Sequence, residues 1–210
     1  MIPMNLFGKL RTSLVLLTAL LAVSACDSSP GLDPEPEQLE TVMALDVPAD
    51  PIVGLVGGRP VGAGIITYFS LRTNAVVTDS ASANWDMALQ GTTIFINGGT
   101  SGPGQGAAQI IEGTMEELTA APTGGYLTDT ESGMAIPGGS GNGWYNYNPA
   151  NNVIAPIPGR LIALRTADGR YAKLRILSYY RGSPSEVTAE SESRYYTFEY
   201  VFQPDGTLLF

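Results

Sequence analysis

Histidine is absent from the 210-residue chain, and cysteine occurs only once, as Cys26. Without histidine, the chain has no Ser-His-Asp or Cys-His catalytic arrangement and no histidine-based zinc site. A single cysteine also excludes a disulfide within the chain. Basic residues are scarce, with 11 Lys and Arg against 20 Asp and Glu. This balance argues against nucleic acid as a partner and against docking on an anionic membrane through a basic patch.

The first 25 residues have the features of an export signal. Lys9 and Arg11 precede an apolar run, residues 14–23, that is too short to span a bilayer. The sequence VSAC at residues 23–26 resembles the lipobox of bacterial lipoproteins, in which the cysteine becomes the first residue and is lipidated. We predict a lipoprotein signal peptide at residues 1–25 and a lipid anchor on Cys26. The alternative is an ordinary signal peptide with a chance cysteine beside its cleavage site.

An acidic, proline-rich segment follows Cys26. Between Asp27 and Asp50 there are seven acidic residues and no basic residue. Because such a segment buries little apolar surface, we expect residues 26–50 to form a flexible spacer. Without Lys9 and Arg11, nine basic and 20 acidic residues remain, a net charge of −11, which we interpret as a solubility feature. Residues 51–210 are numerous enough for one domain with its own core.

Short β-branched and aromatic runs between Gly and Pro residues predict an all-β fold, a single antiparallel β-rich domain. We expect strands at residues 65–71, 85–89 and 92–97. Residues 161–180 predict a hairpin around Asp168-Gly169, with one buried and one solvated face on its second strand. Residues 194–210 predict a second strand pair with its turn at residues 204–206 and a buried aromatic face. The only helical pattern is a turn or two around residues 115–120.

A glycine-rich loop follows the expected strand at residues 92–97. It lacks the Lys-Ser/Thr pair of a phosphate-binding P-loop, and no helical pattern follows it. The glycines at positions 98, 99, 102, 104 and 106 therefore indicate a mobile or tightly turning hairpin loop rather than a nucleotide site.

Residues 142–152, NGWYNYNPANN, concentrate aromatic and amide side chains in one loop. Together with three other stretches, its part GWYNYN at 143–148 resembles the HmuY family of haem-binding bacterial lipoproteins. The other stretches are INGGTSG at 96–102, RTADGRYAKLRILSYYRG at 165–182 and RYYTFEYVFQPDG at 194–206. The match runs from about Tyr68 to the C-terminus, with the pair Trp85-Asp86 upstream.

The resemblance implies an all-β lipoprotein, lipid-anchored at the outer membrane and exposed on the cell surface. It implies haem as the ligand, taken from host or environmental haemoproteins, and delivery to a TonB-dependent outer-membrane receptor. Family members hold haem iron through two axial ligands from loops, either histidines or methionines. Met134 is the candidate ligand here, while Asn151 and Asn152 occupy the neighbourhood of the second ligand.

Several alternatives stay open for these residues. Met134 is either an iron ligand or an apolar plug under its loop, since methionine fills irregular gaps. A phenolate from Tyr126, Tyr145 or Tyr147 is another ligand type. The candidate haem pocket consists of Trp144, Tyr145, Tyr147 and Asn152, whose aromatic rings pack on a porphyrin or cap the sheet.

Two other functions compete with haem uptake. The first is a non-haem accessory or interaction lipoprotein that keeps the HmuY-like fold without the ligand site. The second is glycan binding or a carboxylate-dependent enzyme that uses residues such as Asp86 and Glu112. Since no catalytic arrangement stands out, we expect a binding protein and not an enzyme.

Overall fold

The computed structural model describes residues 39–188 and 190–210. These residues contain no helix, and the all-β prediction is confirmed. Thirteen strands follow one another along the described chain: β1 (Thr41–Pro48), β2 (Ile52–Val56), β3 (Arg59–Gly62), β4 (Thr67–Ser70), β5 (Ala75–Val77), β6 (Met87–Gln90), β7 (Thr93–Ile96), β8 (Ala107–Glu112), β9 (Tyr145–Asn148), β10 (Val153–Pro156), β11 (Arg160–Arg165), β12 (Tyr171–Tyr180) and β13 (Ser193–Gln203). The predicted signal peptide and Cys26 lie outside the described residues.

The main sheet has five antiparallel strands in the order β1-β13-β12-β11-β8. The hairpin predicted at residues 161–180 forms its centre, with Gly169 at a φ of 81° in the turn. The expected solvated face on the second strand of that hairpin is found only in part, because the Arg175 side chain is 39% exposed whereas Lys173 is buried. Lys173 is buried because its ammonium group donates to the carbonyls of Met115 (2.6 Å) and Leu118 (2.9 Å) and lies 5.1 Å from the centre of the Phe210 ring.

A second sheet of four antiparallel strands, in the order β5-β4-β6-β7, contributes to the same core. The rings of Phe69 on β4 and Phe198 on β13 meet edge to face with centres 5.3 Å apart. The buried tyrosines of β13 also donate across the core, Tyr196 to the Gly91 carbonyl (3.0 Å) and Tyr200 to the Leu71 carbonyl (2.8 Å). The predicted aromatic face of residues 196–202 therefore serves packing, which stabilises the fold chiefly through apolar burial.

Two short hairpins complete the fold, β2–β3 and β9–β10. All five residues of β2 are exposed, including Val53, Leu55 and Val56 at 68–69%. The β9–β10 hairpin contains most of the aromatic segment NGWYNYNPANN identified in the sequence.

The structure corrects the expected start of the domain. Residues 41–48, assigned to the flexible spacer, form β1 and pair with β13 from Thr41↔Val201 to Pro48↔Tyr195. Ala44 and Val47 of this strand are buried in the core. An edge strand with two inward apolar residues thus follows directly on an acidic segment. The acidic composition of residues 26–50 as a whole gave no sign of this strand.

One other local expectation is confirmed and one is wrong. Thr114 and Glu117 form reciprocal capping hydrogen bonds, Thr114 N–H to Glu117 Oε2 (2.9 Å) and Glu117 N–H to Thr114 Oγ1 (3.2 Å), and a single turn follows, within the turn or two that the sequence predicts. A cap stabilises a helix end without supplying the apolar periodicity that a helix needs. The chain after residue 206 does not pair with β13; Leu209 instead bridges Ala120.

Candidate functional site

A cavity of about 720 Å³ lies at the end of the main sheet where β12 ends and β13 begins. The β9–β10 hairpin and the turn between β6 and β7 also contribute to its wall, together with Val187, Thr188, Ser191, Ser193 and Arg194. Its volume lies within the range of about 300–1,000 Å³ that is usual for small-molecule sites. Six of the side chains that line it are those of Tyr147, Asn152, Ile154, Tyr179, Tyr180 and Arg194.

The β9–β10 hairpin brings part of the predicted pocket to this cavity. Alternation along β9 places Tyr145 and Tyr147 on the same face of the strand. Tyr145 is buried in the core, whereas Tyr147, two residues further on, is 42% exposed and reaches the cavity. The Tyr147 hydroxyl donates to Asn152 Oδ1 at 2.7 Å, across the turn of the hairpin. Two of the four predicted pocket residues, Tyr147 and Asn152, therefore meet at the cavity wall.

The other two predicted pocket residues support the hairpin from below. Trp144 is buried, and its indole N–H donates to the Thr92 carbonyl at 3.0 Å. Its ring centre lies 4.9 Å from that of Tyr145 and 5.0 Å from that of Tyr196. Of the two alternatives for these rings, the structure places Trp144 and Tyr145 in the packing of the core.

Met134 does not line this cavity. It is half-buried in the loop between β8 and β9, directly before Ala135. That loop is held by Asp129, whose carboxylate accepts from Ile96 N–H at 2.8 Å and from Ala135 N–H at 2.7 Å. The position is compatible with a side chain that fills space beneath a loop, and the role of Met134 as an iron ligand stays a prediction.

The tyrosines of the cavity differ in their surroundings. Tyr179 is buried, and burial raises the pKa of its phenol well above the ordinary value, although Arg194 lowers it in part. Tyr180 is also buried, and its hydroxyl accepts from the Ile154 N–H at 3.0 Å. Only Tyr147 among the three presents an exposed phenol to the cavity.

Arg194 carries the positive charge at the rim of the cavity and forms an ion pair with Asp50. Its guanidinium donates to the Asp50 carbonyl (2.9 Å) and lies 3.4 Å from Asp50 Oδ2. The other oxygen of Asp50 accepts from Ile65 N–H at 2.9 Å. This arrangement fixes the base of the β2–β3 hairpin beside the cavity mouth.

The sequence did not reveal Arg194, Asp50 or Tyr180 as parts of this site. Arg194 and Asp50 both have positive φ angles, 70° and 60°, and such backbone conformations in non-glycine residues carry no composition signal. Tyr180 follows a shift in the β12–β13 register between Ser178 and Tyr180. The pair of adjacent buried tyrosines, which breaks period-two alternation, was the signal available.

The remaining candidates have structural partners. Asp86 is buried and accepts from the backbone of Leu71 (2.8 Å) and Ala167 (3.2 Å). Burial raises the pKa of its carboxyl, while the two backbone hydrogen bonds lower it in part. Glu112 is exposed and lies 3.6 Å from Arg160. Within residues 39–188 and 190–210, no three His, Cys, Asp or Glu side chains converge on a metal-sized site.

The glycine loop is tightly packed. A Cβ on Gly102 would lie 2.2 Å from Asn97 Oδ1 and 2.6 Å from the Trp85 ring. The buried amide of Asn97 also accepts from Gly104 N–H at 2.9 Å and donates to the Trp85 carbonyl at 2.8 Å. The glycines therefore permit close approach of this loop to the Trp85-Asp86 segment.

The structure is an all-β domain with a cavity lined by three tyrosines at one end of its main sheet. The family model described as HmuY protein matches residues 65–200. The chain belongs to the HmuY family, and the resemblance recognised in the sequence is confirmed.

Two solved structures are similar to the chain, and one of them, at a TM-score of 0.50, shows the same fold. The apo HmuY analog of Tannerella forsythia has a TM-score of 0.50 and 16% identity, with 80% of this chain and 96% of that chain covered. A Bacteroides vulgatus protein, whose name proposes HmuY-like heme binding, has a TM-score of 0.44 and 18% identity over 77% of this chain and 90% of its own. No curated protein matches the chain. In the part of the chain that the structure describes, no helix is long and apolar enough to cross a membrane.

Proposed function

We propose that this protein binds haem, or a related tetrapyrrole, in the cavity beneath the β9–β10 hairpin and takes part in haem uptake. The observation that carries the proposal is the meeting of Tyr147, from the family-like segment GWYNYN, and Asn152 at the wall of a ligand-sized cavity. A flat apolar macrocycle fits such a site because aromatic side chains cover its faces while a few polar groups orient it. Haem would be cargo here, and binding is the activity that we assign.

We further propose that the protein is a lipoprotein, anchored through Cys26 to the outer membrane and exposed on the cell surface. β1 runs from Thr41, beside Val201, to Pro48, beside Tyr195, which is roughly 26 Å of strand at the usual rise. A tether that precedes residue 39 therefore joins the sheet at the end opposite the cavity. This position favours a cavity that faces away from the membrane, toward haemoproteins that supply haem and a TonB-dependent receptor that accepts it.

The anchor is tested by Cys26→Ala. We expect the full chain to fractionate with membranes and the variant to appear in the soluble fraction, because one or more acyl chains supply the membrane affinity. Retention of the variant in the membrane fraction contradicts the lipid anchor.

A second function is favoured by one observation: the described wall of the cavity contains no imidazole, thioether or thiol. A non-haem accessory lipoprotein that keeps the family fold needs none of these groups. Its distinguishing property is stable capture of an outer-membrane partner by haem-free protein.

Haem titration of residues 27–210 decides between the two functions. We expect a saturable shift of the haem Soret band at micromolar protein. Asn151→Trp places a bulky ring on the cavity wall and is expected to weaken binding by about tenfold or more, since filling a cavity excludes its ligand. Asn146→Trp is the matched control, because Asn146 is exposed on the same hairpin and does not line the cavity. No shift in the wild-type protein removes the haem proposal and favours the accessory function.

A further inference from the structure

Among the side chains that commonly ligate haem iron, the described wall of the cavity contains only tyrosine. Tyr147, Tyr179 and Tyr180 line it, and no His, Cys or Met is among its described lining residues. Tyrosine is an established protein ligand of haem iron. The choice among the three phenols therefore decides how iron is held, if the proposed tetrapyrrole function is right.

Two of the three phenols are unsuited to the task. Tyr179 is 3% exposed, and its ring packs edge to face against Tyr180 and Tyr196 with centres 5.8 and 5.3 Å away. Tyr180 is 6% exposed and already holds the β9–β10 hairpin by accepting from Ile154 N–H. Using Tyr179 as a ligand disturbs a closely packed ring cluster, and using Tyr180 gives up the hydrogen bond that holds the hairpin, so either change is costly.

Tyr147 has the required exposure and a partner that orients it. Its backbone is fixed by pairing with Ile154 and by donation of its N–H to Ser140 Oγ at 2.8 Å. Its hydroxyl lies 2.7 Å from the Asn152 amide oxygen. Asn152 occupies the left-handed backbone region, with a φ of 58°, which brings its side chain back over the hairpin. Strained conformations of this kind are enriched at functional sites.

We propose that Tyr147 is the residue that ligates the iron of a bound ferric tetrapyrrole, with Asn152 as a positioning residue for its phenol oxygen. This inference rests on the proposed function. The coordination bond forms between iron and the phenol oxygen, the phenolic proton leaves to solvent, and any solvent ligand on iron is displaced. No electron is transferred.

The Asn152 amide suits both states of the phenol. The neutral phenol donates to Oδ1, as in this structure. A phenolate only accepts, and rotation of the amide presents Nδ2–H to it, so the hydrogen bond is kept. A carboxylate at position 152 has no hydrogen-bond donor and would repel the phenolate. Asn152→Asp therefore tests whether Asn152 positions the phenol oxygen.

The test compares ferric haem with metal-free protoporphyrin, because only haem reports the iron ligand. In Tyr147→Phe we expect haem affinity to fall by about tenfold or more and the ferric spectrum to change, while metal-free porphyrin binds as in the wild type. Asn152→Asp is expected to shift the ferric spectrum in the same direction. Tyr126→Phe is the matched control, since Tyr126 is another candidate phenol and does not line the cavity.

Three results overturn the inference and leave the tetrapyrrole function standing. One is an unchanged ferric spectrum in Tyr147→Phe, and another is loss of haem in Met134→Ala with Tyr147→Phe unaffected. The third is wild-type binding of metal-free porphyrin as tight as that of haem, since iron is then not ligated. Failure of the wild type to bind either compound removes the proposed function and the inference together. A thermal melt of each variant confirms that the fold is intact.

Discussion

At the scale of single residues, the buried polar side chains hold loops to strands. Asn97 joins the glycine loop to Trp85. Asp129 joins the Met134 loop to β7. Asp86 joins Leu71, directly after β4, to Ala167, in the turn between β11 and β12. Each accepts or donates at least two hydrogen bonds inside the core, where an unpaired group is costly. The Trp85-Asp86 pair and the INGG sequence that carried the family resemblance are thus architectural.

We predict that Asp86→Asn destabilises the fold by about 1–3 kcal/mol. The amide has one acceptor oxygen, so either Leu71 N–H or Ala167 N–H loses its partner and faces an NH₂ group. The free energy lost with this hydrogen bond exceeds the free energy gained when the buried side chain no longer carries a charge. Urea denaturation measures the difference. Asp79→Asn is the control, because Asp79 is exposed and its carboxylate accepts one hydrogen bond, from Ala81 N–H; an equal effect in both variants contradicts the argument.

Tyr126 is the opposite case, a phenol oxygen buried without a hydrogen-bond partner. We predict that Tyr126→Phe raises the unfolding free energy by about 1 kcal/mol at neutral pH, since it removes an unsatisfied polar group. Burial raises the pKa of this phenol to about 12.

The raised pKa gives this prediction a pH dependence of defined sign. The unfolded phenol ionises near its ordinary pKa of about 10, whereas the folded phenol stays neutral until about 12. Wild-type stability that is present below pH 10 is therefore lost as the pH rises through this window, and phenylalanine does not titrate. The advantage of Tyr126→Phe should widen between pH 10 and 12 in denaturant titrations. A constant difference across that range contradicts the assignment.

At the scale of elements, exposure separates strands that stabilise the core from strands that do not. We predict that Leu55→Thr on β2 changes stability by less than about 0.5 kcal/mol, because Leu55 is 69% exposed. Phe198→Ala on β13, at 0% exposure, should cost about 3–5 kcal/mol. Chemical denaturation of both variants measures the contrast. A large loss from Leu55→Thr would show that the β2–β3 hairpin is packed against something in solution.

The same distinction explains which elements the sequence predicts. The hairpin β11–β12 was predictable because period-two alternation in its second strand follows an Asp-Gly turn, and both signals are local. β1 was not, because its strand character depends on pairing with β13, more than 140 residues away in the chain. The turn at residues 114–118 has helix-capping residues, yet tertiary contacts with Lys173 hold it as a single turn.

The candidate site was predictable in the same limited way. Tyr147 and Asn152 were found because aromatic and amide residues cluster in one loop, and the structure brings both to the cavity. Trp144 belongs to the same cluster, but alternation and burial direct it to the core. Arg194 and Asp50 meet only through the three-dimensional fold, since 144 residues separate them.

At the scale of the whole molecule, the position of β1 fixes where the folded domain begins. We predict that a chain starting at Leu39 melts at the same temperature as one starting at Asp27, because the pairing with the sheet begins at Thr41 among the described residues. A chain starting at Pro51 lacks Ala44 and Val47 from the core and the Asp50–Arg194 ion pair beside the cavity.

Loss of that apolar burial costs about 3 kcal/mol, which lowers the melting temperature by about 6–12 °C in a domain of this size. Thermal melts followed by circular dichroism measure both truncations. The deletion also leaves the guanidinium of Arg194 without its carboxylate at the rim, so haem binding in the chain starting at Pro51 should weaken together with stability.

Equal melting temperatures for the chains starting at Leu39 and Pro51 would place the beginning of the domain at residue 51, as the composition of the spacer alone indicates. A chain starting at Leu39 that binds haem as tightly as the longer chain would confine the binding determinants to the β domain.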